Sequence, residues 1–94
     1  MRTLFIIGSI MGSKMVFQIA REIKGRGSKV ILVFRGEGVR FIDHPRFGDE
    51  TGFSDEVYVL RDGSKPSRGI YPKTISPDEL VEIMESCKRV VSWV

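Results

Sequence analysis

Two short segments, TLFII at Thr3–Ile7 and KVILVF at Lys29–Phe34, are apolar at consecutive positions instead of alternate ones. Successive side chains of a strand point to opposite faces, so a run without alternation is buried on both sides. That is the condition of a parallel sheet covered by helices above and below. Parallel neighbours need a long crossover, usually helical, and the segment between the two runs supplies one. From Ser13 onward Met15, Val16, Ile19, Ala20 and Ile23 fall on one face of a helix, with Gln18, Arg21, Glu22 and Lys24 away from it. Gly25 and Gly27 then offer the left-handed conformations at which helices end.

The alternation continues along the chain. The stretch RGEGVRFIDHPRFGDETGFSDE is its least regular part: Gly36 and Gly38 mark a turn, and Val39 to Asp43 predicts a short helix stopped before Pro45. Glu56–Leu60, EVYVL, reads as a third strand. In SPDELVEIMESCK, Ser76, Pro77, Asp78 and Glu79 form a capping box with proline at the first helical position, which fixes the start of a helix whose apolar stripe is Leu80, Ile83, Met84 and Cys87. RVVSWV closes the chain as a fourth strand. This order predicts an α/β fold, a three-layer α/β/α sandwich with a mostly parallel sheet of four to five strands in a flavodoxin-like order 2-1-3-4. Ligands of such sheets settle outside the carboxyl ends of the strands where the order reverses. Here that crevice is expected between strands 1 and 3, flanked by the loops Gly8–Lys14 and Arg61–Lys73.

The 94 residues suit a single domain over 1–94, and 41% hydrophobic residues are enough for one core. Charges of both signs make up 29% of the chain, which argues against disorder. No stretch approaches the roughly eighteen apolar residues of a membrane span. The first apolar segment runs into a polar loop with no cleavage site, so a cytoplasmic protein is expected. One cysteine, Cys87, excludes an internal disulfide and lacks the companions of a zinc site. Asp49, Glu50, Asp55 and Glu56 do not have calcium-loop spacing, and neither metal nor cofactor is expected. His44, the sole histidine, lies between Asp43 and Pro45 and reads as a surface loop residue.

The formal charge is +3, and residues 61 to 73, RDGSKPSRGIYPK, carry all of it through Arg61, Lys65, Arg68 and Lys73 against Asp62. The segment is either a solvated connection or a loop facing an anion, with Ser64, Lys65 and Arg68 as candidate ligand-binding residues. Nucleic acid is disfavoured, because no aromatics interleave the basic residues and no helix-turn-helix spacing is present. GSIMGSK, Gly8–Lys14, resembles a phosphate loop only in composition. Three residues separate its glycines and Ser13 precedes Lys14, so it is neither a Walker A motif nor a dinucleotide fingerprint. It is a strand-to-helix turn in which Ser9, Ser13 and Lys14 could hold an anion at a helix N-terminus, or in which Ser13 caps the helix.

Taken together, the helix ending in GRG, the strand and turn KVILVFRGEGVRF, the segment GSKPSRGI and the terminal SPDELVEIMESCKRVVSWV resemble the DsrE/DsrF/TusD-like sulfur-relay family over nearly the full length. The resemblance implies a DsrE-like fold and assembly as a trimer or hexamer, or with related subunits. Trp93 would then pack at an edge or subunit contact, with Phe41, Phe47 and Phe53 as contact residues. Active relatives carry a persulfide on a cysteine shortly before an arginine-glycine pair. In this chain Gly63, Ser64, Lys65, Pro66 and Ser67 precede Arg68 and Gly69, and a serine cannot form and release a sulfur–sulfur bond. The expected function is a non-catalytic binding or assembly subunit with a crevice for a small anionic or nucleotide-like ligand. The alternative is a sulfur carrier or sulfurtransferase subunit using Cys87, since relatives of the DsrH/TusB type place a cysteine near the C-terminus.

Overall fold

The computed structural model describes residues 1–9, 11–60 and 73–93, the side chain of Ser13 excepted. The elements are β1 (Arg2–Ile7), α1 (Ser13–Gly25), β2 (Lys29–Phe34), a 3-10 helix (Gly36–Asp43), α2 (Phe47–Thr51), β3 (Glu56–Leu60), β4 (Lys73–Ile75), α3 (Pro77–Ser86) and β5 (Arg89–Trp93). All four strand pairs are parallel. The strands form one five-stranded sheet in the order β4-β3-β2-β1-β5.

The α/β class, the parallel sheet and the two helical layers match the sequence reading, and the order does not. β2 lies between β1 and β3, so no crevice opens directly between those two strands. The extra strand β4 starts at Lys73, the last residue of the predicted basic loop, and the C-terminal strand pairs with β1 instead of flanking β3. Successive strands step one way from β1 to β4, and α3 then carries the chain back across the sheet to β5. The reversal therefore falls between β1 and β5.

Both faces of β1 and β2 are sealed. Phe5, Ile7, Val30, Leu32, Phe34, Val57 and Val59 pack with α1, the 3-10 helix and α2. Leu4, Ile6, Ile31, Val33, Leu60 and Ile75 form the opposite face, against Leu80, Ile83 and Cys87 of the α3 segment. The side of α1 turned inward is rotated from the predicted stripe: Val16, Phe17 and Ala20 are buried, while Met15 and Ile19 are 59% and 39% exposed. Phe17 sets the rotation, because its ring meets Phe41 at 5.1 Å and Phe34 at 6.4 Å between centroids. Burying a phenylalanine contributes about 1.5–3 kcal/mol, more than the loss of a partly exposed Met15 contact. Gly27 takes the left-handed φ of +95° after α1, whereas Gly25 stays helical. The capping box of α3 forms as predicted: Glu79 N–H donates to Ser76 Oγ (3.2 Å) and Ser76 N–H to Glu79 Oε1 (3.3 Å). Met84, expected in the stripe of α3, is 37% exposed.

Polar groups tie the layers at the amino edge. Lys24 Nζ donates to both carboxylate oxygens of Asp55 (2.7 and 2.8 Å) and Val30 N–H donates to Oδ2 (2.8 Å). The Lys24 hydrogen bond, then the Val30 amide, holds the Asp55 carboxyl below its usual range. Across β2, Arg2 pairs with Glu56 at 3.2 Å, and the Tyr58 hydroxyl donates to Glu56 Oε1. That hydrogen bond, helped by burial, pushes the Tyr58 phenol up to about 12. The neutral phenol is thus favoured in the folded state, so its contribution to stability is full below pH 10 and is lost as pH rises towards about 12. A Glu56→Gln variant should bring the Tyr58 titration, followed by ultraviolet difference absorbance, back towards pH 10. An unchanged midpoint would show that Glu56 does not hold the phenol.

Candidate functional site

The carboxyl edge of the sheet is built around the last carbonyl of β1. Arg35 N–H donates to Ile7 O (2.9 Å) as the chain leaves β2. Gly36 turns it with φ +53°, and Gly38 then passes so close that a Cβ there would lie inside the contact shell of that same carbonyl oxygen. The RGEG turn is therefore a backbone-on-backbone contact that no side chain fits, and it lays the 3-10 helix beside the start of α1. Phe41 from this helix stacks on Phe34 (6.1 Å, 19°), and Phe47 of α2 meets both rings. Phe41 and Phe47 are thus core residues, 7% and 8% exposed, and not the contact residues the sequence suggested. Phe53 is half-buried beneath the Arg21 guanidinium, 5.4 Å from its ring centroid.

The topological reversal between β1 and β5 would be the ordinary ligand crevice of such a sheet. Trp93 occupies it. Gly8 N–H donates to Trp93 O (2.7 Å), and the indole Nε1–H donates to Met11 O (3.0 Å). The ring lies against Gly12, where a Cβ would come within 3.0 Å of it. Gly12, at φ +73°, is the N-cap of α1 and has no side-chain cap bond; Ser13 stands one position later, inside the helix, and is not the cap. Ser9 Oγ accepts from Met11 N–H (3.1 Å), so this hydroxyl shapes its own turn.

The open space lies on the other side of the first turn of α1. A cavity of about 170 Å³ is lined by Lys14, Phe17, Phe41, His44, Arg46 and Glu50. Phe17 and Phe41 are its apolar floor. His44 stacks on Phe41 at 5.2 Å and 16°, and Pro45 holds it in the extended conformation (φ −72°, ψ 138°) that ends the 3-10 helix. Its Nδ1 accepts from Arg46 N–H (3.1 Å), which puts the proton of the neutral ring on Nε2. Glu50 is engaged by Arg21 (3.1 Å) and more distantly by Arg46 (3.8 Å). Lys14 has no acidic partner among the described residues.

Of the residues singled out in the sequence, Lys14 lines this cavity, Ser9 does not, and the Ser13 side chain together with Ser64, Lys65 and Arg68 lies outside the described residues. His44, Arg46 and Glu50 were not chosen as binding residues. The histidine-proline step could have pointed to His44, but the convergence with Lys14 arises only when the 3-10 helix folds over β1. Cys87 is half-buried at the C-cap of α3, with Lys88 N–H donating to Arg2 O (2.9 Å) just beyond it. It stands at the amino end of β5, roughly 16 Å of strand away from the Trp93 edge. Among the described residues no cluster of His, Cys, Asp or Glu could hold a metal ion, and no helix is long and apolar enough to cross a membrane. No family model matches the chain, nor does any curated protein or solved structure.

The indole contact has a direct reporter, because Trp93 is the sole tryptophan. Gly12→Ala combines a left-handed φ with contact to the indole, and should cost about 1–2 kcal/mol in urea unfolding. It should also shift the Trp93 emission of the folded protein; a variant with unaltered midpoint and emission would refute the packing.

Proposed function

We propose that the chain is a cytoplasmic DsrE-like domain without the family's persulfide cysteine, working as a non-catalytic binding or assembly subunit that holds a small anion. The observation that carries the ligand reading is the cavity: Lys14 from α1 and Arg46 from the α2 N-cap converge over an aromatic floor, while the acid at its wall, Glu50, is held closely by Arg21 and only at 3.8 Å by Arg46, so the three cations outnumber it. Clustered cations with a low-dielectric wall concentrate an anion more strongly than the same charges spread over a surface. Leu60, after which the chain enters the basic segment, ends β3 on the same edge of the all-parallel sheet. Ser64, Lys65 and Arg68 accordingly remain in the proposal as ligand-binding residues. The assembly half rests on the family resemblance, with Val81, Met84 and Val90 exposed on α3 and β5 as apolar surface that association could cover.

Titration with inorganic phosphate, followed by amide chemical shifts at low and at 0.3 M salt, tests the binding reading. Saturable shifts around residues 14 and 44–46 should weaken by about three- to tenfold in Lys14→Ala and at the higher salt. A lack of saturable shifts would overturn it.

The carrier reading keeps one observation in its favour, a Cys87 thiol that is half-buried and not sealed in the core. On the binding reading, intact mass after treatment with a persulfide donor should show no added sulfur. A sulfur adduct that disappears in Cys87→Ser would favour the carrier instead.

A further inference from the structure

The size and lining of the cavity restrict what the anion can be. A space of about 170 Å³ is well short of the roughly 300–1,000 Å³ of pockets that take cofactor-sized ligands, and close to the about 150 Å³ engineered cavity that takes up one benzene. Inorganic phosphate would satisfy the cations and leave the exposed His44 end of the aromatic stack wet, while an aliphatic chain would forgo stacking on it. That stack is held by the chain's own contacts. Phe41 is fixed between Phe17, Phe34 and Phe47, and His44 is locked on it by Pro45 and by the Arg46 amide. Little rotamer entropy remains to be lost on binding. At the rim, the largely exposed Arg46 guanidinium has one edge towards Glu50 at 3.8 Å, a long contact that a ligand carboxylate would compete for, and Lys14 adds a point charge.

We infer that the site takes a single-ring aromatic carboxylate, its ring against the exposed His44 imidazole that caps the Phe41 stack and its carboxylate between Lys14 and Arg46. This rests on the reading of the cavity as an anion site and narrows it from any anion, nucleotides included, to one ring bearing one acid group. His44 acts as a specificity residue: it recognises the ring, and the cations recognise the acid.

The full chain is titrated in parallel with benzoate, acetate and inorganic phosphate at one ionic strength, using amide chemical shifts. Benzoate should bind about tenfold or more tightly than acetate, the advantage of burying one ring against aromatic walls. His44→Ala, on the surface and outside the core, should erase most of that advantage, read as the benzoate-to-acetate affinity ratio within the variant. Arg46→Ala should weaken both carboxylates. If phosphate and acetate bind and benzoate gains nothing, the aromatic inference is overturned and the anion site stands. Should none of the three bind, both readings fall. A benzoate preference that survives in His44→Ala overturns the stacking on His44.

Discussion

The architecture depends on β1 and β2 being buried on both faces at once. Val30 to Phe34 are all fully buried, as are Leu4, Phe5 and Ile7 beside them, so each strand must be covered from two sides. With apolar burial contributing on the order of 25 cal/mol per Å², this term outweighs the partly exposed ion pairs at the amino edge, each of which contributes about 1 kcal/mol or less. Lys24–Asp55 fixes where α1 meets the sheet edge and Arg2–Glu56 ties β1 to β3 within the sheet; they do not cause the layering. The uneven cover follows from the same constraint. The α1 face carries three helical elements and all six phenylalanines lie in or against its core, whereas the opposite face has α3, none of whose residues is fully buried.

That asymmetry places the site. Aromatic rings from β2, α1, the 3-10 helix and α2 need a common volume, and Gly38 lets the 3-10 helix come down on the end of β1 without a side chain in the way. The cavity forms where this wedge meets the first turn of α1, and the ring that floors it, Phe41, is also a core residue. The core and the shape of the cavity are thus coupled at Phe41, while His44, Lys14 and Arg46 are exposed at its rim and can be changed without opening the core.

Trp93 explains why the site is not at the usual switch point. The indole at the end of β5 fills the gap between β5 and the turn after β1, and its N–H satisfies a carbonyl of that turn. A helix N-terminus that looked available for an anion is in this way partly covered by the chain itself. Ser9 is spent on its own turn in addition, and among the described residues of GSIMGSK it is Lys14 that lines the cavity.

Local physics was legible in the sequence. Lys29–Phe34 and Glu56–Leu60 are strands at the predicted bounds, and the start of α1 at Ser13 and the capping box at Ser76 formed where residue chemistry required them. Each is decided by neighbours in sequence: unbroken apolarity, a glycine, a hydroxyl three residues from a carboxylate. Strand order was not legible, because strands apolar on both faces make equally good partners for one another and the choice between β3 and β5 as the second neighbour of β1 is made by crossover packing. The three-residue β4 is too short to show a period, and Phe17 displaced Met15 and Ile19 because of rings 17 to 24 positions further along the chain. The sequence by itself determined four of the five strands, the two long helices, the layered class and a cationic, thiol-poor chemistry. The tertiary structure alone decided that Lys14, His44 and Arg46 share one cavity, since residues some thirty apart are brought together by the fit of Gly38 onto a carbonyl and of four rings onto one another, and neither fit is written in any local pattern.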